Sequence, residues 1–378
     1  MAMNDRFLRA ARKVPVDRTP VWFMRQAGRY DPEYHALKGR LSFKDIARLP
    51  EVAAEITALP VKKLGVDAAI LYADIMTPVE GVGLSYDIVA GVGPVVERPI
   101  RSTEDVRALG AFDPAAVAGV FEAIRLVKRS LSVPLIGFAG GPFTLASYLI
   151  EGRPTRTYRE TKRLMLRAPD VWAELMEALT AMTVRYLEAQ LDAGADAVQL
   201  FDSWAGHLAP VDYERYALPY VRRIFQALAG RPAVKIYFPG VASGELLPLL
   251  RSLPIDVVGV DWRVPLAEAN RRLDGRFALQ GNYDPLWLEA PPDVRRAYAR
   301  TVVDAGLQAP GFIFNLGHGL YPEAELEAVR DLVATVQEYS AERLAGRRVG
   351  EGSAAGGPPA VGGLSAGAGD GPKRGEAR

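Results

Sequence analysis

ADAVQLFDSWAGHLAPVDYERYALPYVRRIFQALAGRPAVKIYF occupies residues 195–238. Its first run, 195–202, is apolar on nearly successive residues, and so is its last, 233–238. A strand with one wet face would alternate. Near-continuous apolarity marks a strand covered on both faces, as in a parallel sheet. Between them, 212–229 carries apolar residues at helical spacing. Strand, helix and strand in that order make a parallel crossover unit.

The same unit recurs in both directions. Strands are expected at 21–25, 67–74, 134–138, 195–202, 233–238, 256–262, 276–281 and 311–315. Helices are expected at 50–64, 115–131, 168–193, 212–229, 243–253, 266–273, 292–305 and 323–344. Asp113-Pro114 and Pro169-Asp170 are helix-start signals, an acid that favours the amide end and a proline whose missing N–H costs nothing there. Eight strands, each followed by a helix, spell an α/β fold: a single-domain (β/α)8 TIM barrel. An open doubly wound sheet is the alternative, weakened by the lack of a G-x-G-x-x-G after a first strand. Residues 84–100, LSYDIVAGVGPVVERPI, alternate around Gly91-Val92-Gly93 and read as a β-hairpin inserted after strand 2. The barrel domain is expected over 1–348. Residues 349–378 hold ten glycines and three prolines and read as a disordered tail.

Composition narrows the chemistry. The 378 residues are 49% hydrophobic and 24% charged, with a formal net charge of +1. Nucleic-acid binding therefore has no global electrostatic support. The absence of cysteine excludes disulfides, thiolate metal sites and a cysteine nucleophile. The histidines are His35, His207 and His318. The N-terminus lacks the apolar core of a secretory signal, and no apolar run reaches the ~20 residues of a membrane span. The chain reads as soluble and cytoplasmic, with neither membrane nor nucleic acid as a partner.

A barrel of this kind does its chemistry at the carboxyl ends of its strands. Strand 1 ends in Arg25-Gln26-Ala27-Gly28-Arg29-Tyr30, two guanidinium forks around a small-residue turn, suited to carboxylates or phosphates. Strand 2 ends at Asp74, a carboxylate in an apolar run that needs partners: backbone amides, Arg25 or Arg29, or the N–H groups of a ligand. Gly140-Gly141-Pro142 opens a helix carrying Tyr148. Strand 4 ends in Asp202-Ser203-Trp204-Ala205-Gly206-His207. Ser203 lacks the glycine setting of a nucleophile elbow and reads as a hydrogen-bond donor, and His207 as a structural histidine bonded to backbone. Strand 8 leads to Gly317-His318-Gly319, a histidine with little local packing, either mobile or committed to a ligand. Together these describe a mouth for an anionic organic substrate, without thiol, nucleotide loop or evident metal triad.

Five blocks carry a family resemblance: PVWFMRQAGRYDPEY, DAAILYADIMTP, GFAGGPFTLASYLIEG, QLFDSWAGHL and FNLGHGLYPEA. In this order, over about residues 5–345, they resemble the uroporphyrinogen decarboxylase family. The resemblance implies a single (β/α)8 barrel, usually a homodimer, that uses no cofactor or metal. Its substrate would be uroporphyrinogen III, whose four acetates become methyl groups to give coproporphyrinogen III. It implies that Asp74 stabilises a protonated pyrrole, and that Arg25 and Arg29 bind carboxylates and take part in catalysis. It implies further that Gln26, Ala27 and Gly28 complete the binding turn, and that Tyr148, Ser203 and His318 touch substrate side chains. Some family members carry another arginine beyond this turn, where the present chain has Lys38 and Arg40. The competing readings are a corrinoid-linked methyltransferase on the same barrel, opposed by the lack of cysteine, and a tetrapyrrole carrier without catalysis.

Overall fold

The structure is a computed structural model and describes residues 3–354 apart from Ala90. Seven parallel strands form one sheet: β1 (Ala69–Ile70), β4 (Leu135–Gly140), β5 (Ala197–Phe201), β6 (Val234–Phe238), β7 (Val257–Gly259), β8 (Ala278–Tyr283) and β9 (Phe312–Leu316), neighbours in that order. The remaining strands, β2 (Tyr86–Val89) and β3 (Gly93–Val96), pair antiparallel as the expected hairpin. Every residue of β4, β6, β8 and β9 is buried, which accounts for their mostly apolar, non-alternating sequences.

The eighth position of the ring is filled by a shorter stretch than the expected strand at 21–25. Val21 makes a single parallel bridge to Phe314. Phe314 N–H donates to Pro20 O and Trp22 N–H to Phe314 O. On the other flank Asp67 N–H donates to Val21 O at 2.7 Å, and Val21 N–H returns a bond to the Asp67 carboxylate at 3.0 Å. That carboxylate also pairs with Arg6 and Arg18, at 2.9 and 2.8 Å. A charged side chain thus completes the ring where the ladder is short. The stretch cannot lengthen, because Pro20 has no N–H to give and Arg25 turns into the left-handed region at φ 60. The expected strand at 67–74 shrinks for a related reason: Tyr72 N–H is taken by the Thr57 hydroxyl and Asp74 N–H by that of Thr77.

Inside the ring Trp22 Nε1 donates to Gln280, whose amide donates to Gln199, both at 3.0 Å. This chain gives Trp22 Nε1, both polar ends of Gln280 and the Gln199 oxygen a partner, each of which would cost about 1–3 kcal/mol if left alone. The helix Arg6–Ala11 closes the floor; Phe7 is fully buried, and Gly311 is bare because Ala10 O lies where its Cβ would stand.

Outside, most helices stand where expected. The helix at 212–229 is split into Pro210–Tyr216 and Leu218–Ala227, because Pro219 removes an amide and strains the turn before it. The segment at 243–253 is a 3-10 helix, Gly244–Ser252, with Pro248 inside it. The last helix runs Leu326–Ala354, so the first residues of the expected tail continue a helix, extension of which costs little once it is nucleated. Residues 355–378 lie outside the described residues. Among the described residues no helix is long and apolar enough to cross a membrane.

Candidate active site

The turn after Val21 is built to hold two arginines free. Gln26 is buried: its carbonyl oxygen accepts from Phe23 N–H, its amide donates to Ala68 O, and its backbone oxygen takes the Tyr30 hydroxyl at 2.5 Å. Gln26 therefore fixes the turn, while half-buried Ala27 and Gly28 leave room beside it. His35 Nε2 bonds Arg29 O at 2.8 Å, and Asp31 caps the following helix Pro32–Lys38. Arg25 and Arg29 are exposed and neither forms an ion pair among the described residues. Arg25 sits at positive φ, a conformation costing a non-glycine residue about 1–3 kcal/mol. Such strain on an unpaired guanidinium points to a functional constraint. Lys38 Nζ turns back to Leu41 O at 2.7 Å, and Arg40 is exposed.

Asp74 lies beyond β1, capping its own turn by accepting Met76 N–H at 2.8 Å. That contact satisfies one lone pair. No Lys or Arg stands within ion-pair distance among the described residues, so of the partners expected for Asp74 a backbone amide is present and an ion pair with Arg25 or Arg29 is not. Burial pushes its carboxyl above the usual carboxylate range, opposed by the Met76 N–H and by the charge of Arg25. Its own field, together with burial, raises the hydroxyls of Tyr86, Tyr148 and Tyr186. Three phenols thus lie within the electrostatic reach of one carboxylate. Tyr86 comes from the inserted hairpin and Tyr186, whose buried hydroxyl lacks a partner, from the long helix Pro169–Asp192. Sequence reading missed both; the inward phase of the hairpin was the available signal for Tyr86.

Tyr148 stands on the helix Pro142–Glu151 and stacks on Trp204, with ring centroids 4.0 Å apart. Burial and then Asp74 raise its hydroxyl, and Arg25 opposes them, so it shares the electrostatic surroundings of both. Ser203, half-buried, precedes Trp204 and packs by its backbone on Gly240. His207, expected to bond backbone, instead lays its ring on Tyr158 at 4.3 Å, while its own backbone oxygen accepts from Lys162 Nζ at 2.7 Å.

His318 is packed rather than loose, correcting the expectation drawn from its flanking glycines. A Cβ on Gly317 would meet Trp262 N at 2.4 Å, and one on Gly319 would meet Arg25 Cδ at 2.5 Å. The glycines admit those two neighbours. Burial, then Arg25 and Arg263, lower the imidazole to about 4, and its buried Nδ1 has no hydrogen-bond partner. It is neutral at neutral pH. The structure thus gathers Arg25, Asp74, Tyr148 and His318 at one end of the barrel, with Ser203 beside the Tyr148–Trp204 stack. Among the described residues no three Asp, Glu or His side chains stand together as a metal site requires.

A family model described as uroporphyrinogen decarboxylase matches residues 2–339. The chain belongs to the uroporphyrinogen decarboxylase family. Proteins named uroporphyrinogen decarboxylase from Geobacillus kaustophilus and Chloroflexus aurantiacus are 49% and 50% identical to it, over 89% of this chain and 98% and 96% of theirs. One of the same name from Roseiflexus sp. is 51% identical over 90% of this chain and 99% of its own. Among solved structures, a methyltransferase from Methanosarcina mazei aligns over 90% of this chain and 99% of its own, with TM-score 0.73 and 20% identity. A B12-independent methionine synthase from Shewanella aligns over 82% and 91%, with TM-score 0.53 and 13% identity. These structural likenesses attest the barrel fold.

Proposed function

We propose that this enzyme decarboxylates the four acetate side chains of uroporphyrinogen III to give coproporphyrinogen III, a carboxy-lyase step of porphyrin biosynthesis. The observation that carries the reading is Asp74: a carboxylate at the barrel mouth with no cationic partner in contact, within electrostatic reach of Arg25 and of the Tyr148 hydroxyl. A cyclic tetrapyrrole presents N–H groups at its centre and carboxylates at its edge. The first suit Asp74 and the second suit the unpaired Arg25 and Arg29.

Loss of carbon dioxide leaves an electron pair on the side-chain carbon. Protonation of the adjacent pyrrole carbon makes a cationic ring that draws in that pair as the C–C bond breaks. The exocyclic methylene then takes a proton, the ring carbon releases its own, and a methyl group remains. Each acetate consumes one proton net. The electron sink is the substrate itself, so the cycle calls for no cofactor. Asp74 favours the cationic ring in a poorly solvated mouth, while His318, neutral, offers a hydrogen bond without adding positive charge.

The catalytic unit is residues 1–348, operating in the cytoplasm as a homodimer without membrane or nucleic-acid partners. The dimer rests on family resemblance, and exposed Leu286, Trp287 and Val294 are apolar candidates for its contact. The test is anaerobic incubation of purified protein with uroporphyrinogen III and no added cofactor, then chromatography of the oxidised porphyrins. Porphyrins with fewer than eight carboxylates are the expected products. Binding without any such product would favour a carrier instead.

A further inference from the structure

At the carboxyl end of β7 the chain reads Asp261-Trp262-Arg263. Asp261 is buried; its carboxylate accepts Arg263 N–H at 2.8 Å and Ser243 N–H at 3.4 Å. Those bonds fix the turn. The Arg263 guanidinium then lies over the Trp262 ring, 4.2 Å from its centroid, and its nearest carboxylate, Asp261, is 3.7 Å away. A cation held on an aromatic face retains donors in the ring plane for a partner. About half of the side chain is open to solvent.

Its surroundings tie it to the active site. Trp262 Cε3 lies 3.0 Å from where a Gly317 Cβ would stand, and Arg25 occupies the corresponding place at Gly319. Arg263, Trp262, His318 and Arg25 therefore form one continuous ledge. Both arginines act on His318 by charge. Asp74, where the chemistry is placed, is acted on by the charge of Arg25. Arg263 is thus the rim end of the ledge and Arg25 the end nearer the reacting group.

We propose that Arg263, stacked on Trp262, binds a substrate carboxylate that the reaction does not remove, a propionate, and so acts as a positioning residue through all four decarboxylations. The assignment rests on the decarboxylase reading. An acetate is consumed when its turn comes. A propionate is present on every intermediate, so a propionate contact affects the first and the last step alike.

The test compares wild type, Arg263→Gln and Arg263→Lys for turnover of the octacarboxylate and of the isolated pentacarboxylate porphyrinogen, with melting curves to verify folding. Arg263→Gln is expected to raise KM about tenfold for both substrates, the loss of one partly exposed charge-assisted contact, with kcat within about twofold. Arg263→Lys, which keeps the charge but not the planar fork, should recover part of the affinity. A KM rise confined to the octacarboxylate would assign the contact to an acetate and overturn the proposal, as would unchanged KM or a fall in kcat alone. If wild type itself leaves both substrates intact, it is the decarboxylase reading that fails.

Discussion

Thr144 donates twice to one oxygen of Asp202, through its backbone N–H at 2.9 Å and its hydroxyl at 2.7 Å. The Tyr237 hydroxyl is the third donor, at 3.2 Å. Trp204 N–H in turn donates to the Thr144 hydroxyl at 3.1 Å. One buried carboxylate therefore anchors both the helix that carries Tyr148 and the loop that carries Ser203 and Trp204.

Replacing it should be costly and pH-dependent. Asp202→Asn is expected to lower stability in urea by about 1–3 kcal/mol, since the amide nitrogen that replaces one oxygen cannot accept from the donor it faces. Burial raises the Asp202 carboxyl to about 6 from its ordinary 3.8. Between those values the folded chain binds a proton that the unfolded chain releases, so Asp202 favours folding more as pH falls. The stability gap between wild type and variant should widen from pH 6 to pH 4. A flat gap would mean that Asp202 does not titrate there.

Asp74→Asn keeps shape and removes charge. If the carboxylate stabilises the cationic ring, kcat should fall about 100- to 1,000-fold. Product affinity should change by less than about threefold. Steady-state kinetics with a separate binding titration checks this, and equal losses would reduce Asp74 to a residue that merely orients the ligand.

Arg25→Gly separates strain from binding. Glycine accepts φ 60 freely, so stability should stay level or rise by up to about 1 kcal/mol. KM should rise about tenfold for the lost carboxylate contact. The His318 imidazole, now relieved of a neighbouring cation, should titrate at higher pH by NMR. A variant clearly less stable than wild type would refute the strain assignment.

His318 carries the opposite pH signature to Asp202. Its folded value, about 4, lies below the ordinary 6.5. As pH falls through that window the unfolded chain takes up a proton that the folded chain refuses, so His318 disfavours folding increasingly. Melting temperatures of wild type and His318→Asn, followed from pH 7 to pH 4.5, should diverge in the variant's favour. Divergence the other way would place a charged imidazole in the folded mouth.

Deleting residues 349–378 is expected to leave kcat and KM within about twofold. A larger loss would extend the catalytic unit past residue 348.

The alternation of covered strands and helices was readable because its causes are local: apolar runs, and prolines and acids at helix starts. Residues 84–100 were readable as a hairpin for the same reason. The cluster at the strand ends was readable because barrel topology assigns those ends to one rim. What was hidden depends on residues distant in sequence. Nothing near His318 reveals that Trp262 and Arg25 claim the space beside its glycines. Nothing near Asp74 announces Tyr186, brought in by a helix more than a hundred positions later. The shortness of the first strand followed from Pro20 and Arg25, but only once the Asp67 carboxylate was seen to complete the ring beside them.

That closure sets an order of assembly. Val21 finds its bridge partner in Phe314, near the far end of the chain. During synthesis the arginine turn emerges first and can lean early on Asp67 and Ala68, but it gains its second wall only when β9 has left the ribosome. Contacts so distant along the chain pay their loop-closure entropy last. A nascent chain halted before Phe312 would hold Asp74 and Tyr148 but leave the arginine turn braced on one flank only. The catalytic mouth is thus completed only once β9 and the His318 turn that follows it have been made.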